Sequence, residues 1–389
     1  MKQILPKLKE FNKLLKFVKM STSGTSFRHI TQYINGLITL NRKTVKKISE
    51  ASIEEKHHSA ISRVLASSQF GASKLEERYL KKISYYLRYS KKYLLFDDTL
   101  NIRNGKHIEE TKLHHNHTDN NFVTGHQYFT AIIHTKILQL PLFPKLYSDF
   151  TESKIEMARD CVDKVIKHIG VDCVLFDSWY SDKKLIKKCI TKNIKVICTI
   201  KTNRKISTRK GNWEKLSVFS KEQIFGNKLE LIDDCKYQIN EHIVKLNGIP
   251  NIKLLISKMW DYKRKRWLLP FHLISTDKRD STVKIIREYS YRWFIETYHR
   301  DIKQNLGFNK CQARKKEVIV SHAILVSLAY AMLKLFMFLR NLDLTIGGCC
   351  AHIQNKEMNN FILEIVEIKD KNERIKYFQE VFIRKTAKV

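Results

Sequence analysis

The chain has 389 residues, and its 72 lysines and arginines against 39 aspartates and glutamates give a formal net charge of +33 at pH 7. This charge favours a polyanionic partner, because basic proteins bind nucleic acid through its phosphates. It does not identify the partner, since ribosomal proteins share it and a chain rich in lysine, isoleucine and asparagine is typical of AT-rich genomes. The sequence has no internal repeats and no low-complexity tract, which excludes a solenoid of repeats.

The N-terminal part, up to about residue 73, is basic and patterned as helices, with few glycines or prolines. Apolar residues recur at helical spacing in Phe27–Ile38 and in Ile61–Leu65. Such a helical bundle has two interpretations, a DNA-binding region or a structural cap on the domain that follows. No helix-turn-helix pattern is clear enough to identify a recognition helix.

A short apolar run then ends in two acidic residues. Residues 93–99 read Tyr-Leu-Leu-Phe-Asp-Asp-Thr, with the acids at Asp97 and Asp98. The apolar half of this run predicts a buried strand. Because side chains alternate along a strand, only one of the two aspartates can face a given side of the sheet.

A second apolar run, Val171–Phe176, is followed by Asp177. A predicted helix at Lys183–Thr191 and a predicted strand at Lys195–Ile200 come next, so we expect a β-α-β unit with parallel strands. The functional crevice of such sheets lies beyond the carboxyl ends of the strands. We therefore expect the first acidic pair and Asp177 to meet at that edge.

The segment from Tyr289 to Lys303 carries a row of polar side chains. On a single helix, Tyr289, Arg292, Glu296 and Lys303 fall within an arc of about 60° and form a row about 21 Å long, and Arg300 lies beside them. Apolar side chains take the opposite face and predict its packing against a core. A solvated helix face would explain the charges alone, whereas a row of this length suits a ligand with phosphates spaced along it.

Three carboxylates from two strand ends and one helix would make a hard-oxygen site of the kind that Mg²⁺ or Mn²⁺ prefers. Two such ions, about 3.5–4 Å apart, can activate water or a 3′-hydroxyl and stabilise the leaving oxygen of a phosphodiester. For one strand-terminal aspartate alone, a turn or helix-cap role is the usual alternative. The acids in this order, together with the basic helix, are more specific.

Residues 318–339 are apolar enough for a membrane span. His322, Lys334 and the basic residues before the segment favour instead a helix buried behind the Glu296 helix. The eight cysteines include no Cys-x-x-Cys pair, and no signal peptide is recognised at the N-terminus. We therefore expect free thiols in a reducing cytoplasm.

These motifs resemble those of DDE transposases of the IS-four group of insertion sequences. Tyr289, Arg292, Glu296 and Lys303 match the group's Tyr-x2-Arg-x3-Glu-x6-Lys signature at every spacing, and the phrases around Asp97 and Asp177 resemble its first two acid motifs. The resemblance covers roughly residues 25–345. It implies an α/β fold with an RNase H-like catalytic core and a β-rich insertion between the second aspartate and the glutamate.

The resemblance also implies roles for individual residues. Asp97, Asp177 and Glu296 would be catalytic and would hold two Mg²⁺ or Mn²⁺ ions, with Asp98 the alternative to Asp97 as first ligand. The group's first motif, Asp-x-Thr or Asp-x-Ser, favours Asp97. The residues expected to contact DNA are Tyr289, Arg292, Arg300, Lys303 and Trp293. Trp293 has a second interpretation as a core residue.

From these features we divide the chain into four parts. They are an N-terminal helical, DNA-binding region (1–85), a catalytic core in two pieces (86–202 and 281–345), the β-rich insertion (203–280) and a C-terminal helical region (346–389). The expected partners are DNA, as terminal inverted repeats and target, and a second copy of the chain in a synaptic homodimer, with no membrane. The expected location is the prokaryotic cytoplasm, on the nucleoid when DNA is bound.

The expected function is therefore metal-dependent DNA cleavage and strand transfer, with cut-and-paste as the expected route. Two rival functions remain at this point. One is an inactive or domesticated DNA-binding derivative, against which the intact acids and signature argue. The other is a structure-specific nuclease of RNase H-like fold, which would share the acids without needing Tyr289, Arg292 and Lys303 at that spacing.

Overall fold

The computed structural model describes residues 9–52, 58–67, 73–105, 107–116, 119–148, 152–208, 212–226 and 229–382; the outermost residues of the predicted N- and C-terminal regions lie outside this range. The helices are α1 (Lys9–Leu14), α2 (Lys16–Lys19), α3 (Gly24–Thr39), α4 (Val45–Ala51), α5 (His58–Leu65), α6 (Ser73–Leu87), α7 (Lys154–His168), α8 (Lys183–Thr191), α9 (Leu216–Lys221), α10 (Thr282–Ser290), α11 (Trp293–Gln304), α12 (Lys316–Arg340), α13 (Ile346–Glu367) and α14 (Lys371–Phe382). The strands are β1 (Tyr93–Ile102), β2 (Lys112–Asn116), β3 (Asn121–His134), β4 (Gln139–Pro141), β5 (Lys145–Leu146), β6 (Cys173–Phe176), β7 (Lys195–Thr199), β8 (Lys205–Ser207), β9 (Glu214–Lys215), β10 (Glu230–Ile232), β11 (Cys235–Leu246), β12 (Ile249–Asp261), β13 (Arg266–Trp267) and β14 (Phe271–Ser275).

The fold is mixed α/β, as expected, and is built on one large mixed sheet with the strand order β2-β3-β1-β6-β7-β14-β12-β11-β8-β9. β1 pairs with β3 in antiparallel and with β6 in parallel register, and β6 pairs in parallel with β7. The predicted β-α-β unit is therefore confirmed, with α8 at the predicted residues. The strands between residues 205 and 275 extend the same sheet through the pairing of β14 with β7.

One edge of this sheet collects the carboxyl ends of several strands. β1, β6 and β7 run in the same direction, and β12 joins them because it is antiparallel to β14, which is antiparallel to β7. We call this side of the sheet the carboxyl edge. Asp97 lies on β1 at this edge, and Asp177 follows the last residue of β6.

The core of the molecule is organised around α12. Nearly all of its residues from Ile319 to Met337 are buried, including small ones on every side of the helix. It is the one helix within the described residues that is long and apolar enough to cross a membrane, yet 83% of its most apolar stretch is covered by the rest of the protein. A helix that is apolar all round is expected at the centre of a large core, which is where the structure places it.

The N-terminal helices are part of this core. Tyr33 on α3 forms a buried hydrogen bond of 2.8 Å between its hydroxyl and Nδ1 of His322 on α12. Phe11 packs edge-on against Phe336 with ring centres 5.7 Å apart. The described N-terminal helices thus act as a structural cap, and a DNA-binding role for them stays a prediction.

The predicted single helix from Tyr289 to Lys303 is wrong. The segment is two helices, α10 and α11, which are separated by Tyr291 and Arg292. Backbone hydrogen bonds at this point connect residues three positions apart instead of four. For example, the Arg292 N–H donates to the Tyr289 carbonyl at 2.9 Å. This 3₁₀-type turn changes the phase of the helix, which uniform 100° spacing does not anticipate.

Glu288 fixes the end of α10 at the side of the sheet opposite to the carboxyl edge. Its carboxylate accepts hydrogen bonds from Lys91 Nζ at 2.5 Å and from the Tyr93 hydroxyl at 3.0 Å, and it also pairs with Lys195. These cationic partners lower the pKa of Glu288 although its burial acts in the other direction. α10 is thereby attached to the first residues of both β1 and β7.

We predict that Leu37→Ala, on the buried face of α3, lowers the free energy of unfolding by about 2–5 kcal/mol, since a fully buried leucine leaves a cavity. Ile224→Ala is the control, because Ile224 is 90% exposed and its loss should change stability by less than about 0.5 kcal/mol. Urea unfolding of the two variants measures the difference. Equal stabilities would show that the N-terminal helices do not share the core.

Candidate active site at the carboxyl edge

Asp97 and Asp177 lie on neighbouring parallel strands. The register pairs Leu95 with Leu175, so two steps further along both chains the two aspartates come side by side on the same face of the sheet. Asp97 is on β1 itself, and its Oδ1 accepts the backbone N–H of Asp98 at 2.8 Å. Asp177 begins the turn after β6, and its Oδ1 accepts the backbone N–H of Trp179 at 2.9 Å.

Glu296 comes to the same place from α11, which lies across this face of β1. Arg292, one turn before it, connects the two elements. Its Nη1 is 3.2 Å from Asp97 Oδ2 and 3.3 Å from Glu296 Oε1. The structure therefore brings Asp97, Asp177, Arg292 and Glu296 into one group. In this arrangement the guanidinium is the counter-charge of the acids.

The electrostatics of the group favour an added positive charge. Burial is the largest cause that raises the pKa of Asp97, to about 7, and the neighbouring charges of Asp177 and Asp98 raise it further. Burial likewise raises the pKa of Asp177. Arg292 and backbone N–H groups act in the opposite direction but do not offset these effects. Carboxylates in such a position gain from a cation between them.

Asp98 points to the other face of the sheet. Its Oδ2 is 3.2 Å from Lys154 Nζ and also accepts from Gln127 Nε2, and its Oδ1 lies 3.4 Å from the Tyr180 hydroxyl. Asp98 thus has a full set of donors of its own, whereas Asp97 faces Arg292. Of the two adjacent acids, the geometry favours Asp97 as the one that would hold a metal ion.

No three acids, histidines or cysteines within the described ranges are grouped as ligands of one metal ion. Arg292 stands between Asp97 and Glu296, so the carboxylates are spaced around a guanidinium. The donor chemistry nevertheless fits a divalent ion such as Mg²⁺, because the acids supply only hard oxygens and burial makes their joint charge unfavourable. Asp97, Asp177 and Glu296 are the residues that would hold it.

Two further residues of the signature are half-buried beside this group. The Tyr289 hydroxyl is 3.5 Å from Thr199 Oγ1 at the end of β7, and burial raises its pKa to about 12. Lys303 Nζ donates to the carbonyl of Leu100 on β1 at 3.1 Å, and burial lowers its pKa. Both side chains therefore border the site, and each is held by a contact within the protein.

Trp293 and Arg300 lie on the outer side of α11. Trp293 is 63% exposed, so its interpretation as a core residue is wrong. The 3₁₀-type turn just before Trp293 turns its side chain to solvent. Arg300 is exposed as well. Both residues are accessible to a ligand that passes over α11.

The sequence analysis missed two residues that contact the site. His299 is on the buried face of α11, where its Nε2 is 2.7 Å from Thr130 Oγ1. Burial, together with the charges of Lys303 and Arg292, lowers its pKa to about 3. His299 is therefore neutral, and it contributes packing and a hydrogen bond instead of a charge. Lys154 pairs with Asp98 from a distant helix, and no local pattern in the sequence predicts this.

A third missed feature is an exposed basic hairpin formed by the end of β12 and by β13. Its turn reads Lys263-Arg-Lys-Arg266, and all four side chains are exposed. Trp260 and Trp267 pack edge-on at its base, with ring centres 5.3 Å apart. Leu255 on β12 is level with the end of β7. β12 therefore continues about 20 Å past the carboxyl edge. The sequence could have indicated this feature, because four consecutive basic residues lie there between two tryptophans.

We predict a specific pH dependence from the raised pKa of Asp97. In the unfolded chain this carboxyl is ionised above about pH 4, whereas in the folded protein it stays protonated up to about pH 7. Its contribution to stability is therefore present at low pH and is lost as the pH rises through 7. Without divalent ions, wild-type protein should lose about 2 kcal/mol more between pH 5 and pH 8 than Asp97→Asn.

Urea unfolding of both proteins at the two pH values measures this difference. Asp163→Asn is the control, because Asp163 is an exposed acid on α7 that pairs only with Lys188. Parallel losses for wild type and Asp97→Asn would mean that Asp97 titrates normally in the folded protein.

Comparison with known proteins agrees with the chemistry of this group. Residues 148–332 match the family model described as a transposase DDE domain, and residues 17–143 match that of the DDE superfamily endonucleases. No curated protein matches the chain. A cryo-EM structure of the piggyBac transposase synaptic complex with hairpin DNA is similar over 92% of this chain and 76% of that one, at 9% identity and a TM-score of 0.49, which is too low to support an argument. The two family matches follow each other along the chain, and each covers less than half of it.

Proposed function

We propose that the chain is the transposase of an insertion sequence of the IS-four group, and that it binds the terminal inverted repeats of that element and cleaves and joins DNA by a cut-and-paste route. The observation that carries the proposal is the convergence of Asp97, Asp177 and Glu296 at the carboxyl edge of a strongly basic protein. The spacing of Tyr289, Arg292, Glu296 and Lys303 supports the assignment to this group.

In this proposal Asp97, Asp177 and Glu296 hold two Mg²⁺ or Mn²⁺ ions. When bound, the ions activate a water or a 3′-hydroxyl and stabilise the departing oxygen of the phosphodiester. The contribution of the chain is to present three carboxylates from rigid elements. β1 and β6 fix the two aspartates, and the packing of α11 on α12 fixes the glutamate, since Tyr298 on α11 forms a buried hydrogen bond of 2.7 Å with Ser327.

Arg292 has two successive partners in this scheme. Without ligand it pairs with Asp97 and Glu296. Guanidinium forks bind phosphate as well as carboxylate, so a DNA phosphate that reaches the site can take over one side of Arg292. Bound metal ions would then neutralise the carboxylates in place of Arg292. Lys303 and Tyr289 border the same position and are proposed to contact the backbone of the same DNA end.

The DNA path is proposed to run between two projecting ribbons. On one side β1 and β3 continue past Asp97 to Ile102, and on the other side the basic hairpin at Lys263–Arg266 projects from β12. Four strand spacings separate β1 from β12, which is about 19 Å along a flat sheet. Arg300 and Trp293 line the path from α11, where Trp293 is free to stack on a base.

The architecture supports an RNase H-like interpretation of the core, with a central strand between an antiparallel and a parallel neighbour. The strands from residue 205 to residue 275 are then the β-rich insertion, although they continue the sheet of the core. A synaptic homodimer and action on the nucleoid are part of the same proposal, because the reaction acts on both ends of one element and joins them to target DNA.

We predict that Glu296→Gln abolishes cleavage and leaves DNA binding within about threefold of wild type, because it removes a metal ligand and no phosphate contact. The substrate is a duplex with the DNA that flanks the gene, tested with Mg²⁺ or Mn²⁺. Cleavage by wild type at a terminal repeat, lost in the variant and without metal, is the expected result. Wild-type rates in the variant would show that Glu296 is not in the site.

The same assay distinguishes the rival functions. Binding to the repeat without cleavage by wild type would favour an inert or domesticated copy. Cleavage of branched DNA irrespective of the repeat would favour a structure-specific nuclease.

We also predict that Lys263→Ala combined with Arg266→Ala lowers the slope of log affinity against log salt concentration by about 2, since each lost phosphate contact removes about 0.9. Lys192→Ala with Lys278→Ala is the matched control, because both lysines are exposed at the opposite edge of the sheet. Binding to the end duplex at several salt concentrations measures the slopes. Equal slopes for the two double variants would remove the basic hairpin from the DNA path.

A further inference from the structure

Lys154 carries a buried charge on the face of the sheet opposite to Arg292. Its side chain is 9% exposed, and its Nζ is 3.2 Å from Asp98 Oδ2. The same ammonium lies 4.2 Å from the centre of the Trp179 ring. A buried ammonium is costly unless it is paired. None of the reaction steps proposed above uses Lys154.

The position of Lys154 is fixed by local structure. It is the first residue of α7, and Ser153 caps this helix in a reciprocal capping box with Glu156. The Tyr147 ring borders the same ammonium, with its centre 5.5 Å away. The charge is therefore held between aromatic rings and a carboxylate on a rigid helix end.

Two of the contacts of Lys154, Asp98 and Trp179, are residues that orient the proposed catalytic aspartates. Asp98 donates its backbone N–H to Asp97 Oδ1. Trp179 donates its backbone N–H to Asp177 Oδ1. A single ammonium thus connects the two acid motifs from behind the sheet, while the acids themselves face α11.

We infer that Lys154 is a positioning residue for both acid motifs, and that it acts by neutralising Asp98 and by holding Trp179. Removal of the ammonium leaves Asp98 as a half-buried carboxylate beside two other acids, with the neutral donors Gln127 and Tyr180. The repulsion among three acids then acts directly on the orientation of Asp97. This inference rests on the proposed roles of Asp97 and Asp177.

The test is a set of four variants assayed for cleavage and for DNA binding. Lys154→Met keeps the length of the side chain and removes its charge, so cleavage should slow by about tenfold or more at unchanged DNA affinity. Lys154→Arg should recover much of the loss. Lys154→Met combined with Asp98→Asn should cleave within about threefold of Asp98→Asn alone, because the anion that needed Lys154 is gone.

Lys164→Met is the matched control. Lys164 is on the same helix and forms a partly buried ion pair of 2.5 Å with Glu76, away from the site. Its loss should lower stability without slowing cleavage. Wild-type cleavage by Lys154→Met, or a defect that Asp98→Asn does not relieve, would overturn the inference.

A measurement on the metal-free protein separates this inference from the proposed function. Lys154→Met should lower Tm clearly in the wild-type background and much less in the Asp98→Asn background. Additive changes in Tm would show that the two charges are not coupled and would also overturn the inference. If wild type cleaves no DNA, the proposed function fails, whereas the coupling of Lys154 and Asp98 is still decided by Tm.

Discussion

Two carboxylates held side by side in a half-buried position are the constraint on which the rest of the site depends. The parallel pairing of β1 with β6 places Asp97 next to Asp177. The surrounding residues offset the resulting repulsion. Arg292 supplies positive charge on one face of the sheet, and Lys154 supplies it on the other through Asp98.

The turn between α10 and α11 has a related explanation. Glu288 is held at the start of β1 and β7 by its lysine and tyrosine partners, which sets the position of α10. α11 must instead extend along β1 so that Glu296 lies above Asp97. The 3₁₀-type turn at Tyr291 and Arg292 lies between these two attachments and changes the phase of the helix there. The same turn leaves Trp293 exposed.

Much of the central architecture was predictable because its signals are local. The apolar runs before Asp97 and Asp177, and the helix at Lys183–Thr191, are contiguous patterns with one usual meaning, and the structure shows two strands and the helix there. The end of the first strand was wrong, because β1 continues past Asp97 to Ile102. The composition of the α12 segment fitted both a membrane span and a buried helix. Its contacts with other helices place it in the core. The family matches support a DDE transposase, which the order of the acidic motifs had indicated.

The features that sequence reasoning missed depend on long-range contacts. Lys154 meets Asp98 from 56 positions away, and no periodicity links the two residues. The environment of Arg292 could not be predicted either. An arginine that binds a phosphate and an arginine that pairs with carboxylates look the same in a sequence. The family motif already favoured Asp97 over Asp98, but the physical reason lies in the structure, where Asp97 faces Arg292 and Asp98 faces Lys154.

The burial of α12 on all sides also has a consequence for biosynthesis. α3 is made early, but its partner at His322 follows almost 300 positions later in the chain. The first helices therefore leave the ribosome with an uncovered apolar face and must wait for most of the chain to be made. Folding of this kind is dominated by non-local contacts and is slow. A truncated product that ends before α12 would lack the scaffold behind Glu296 and would expose a surface prone to aggregation, so only chains that include α12 could assemble the site.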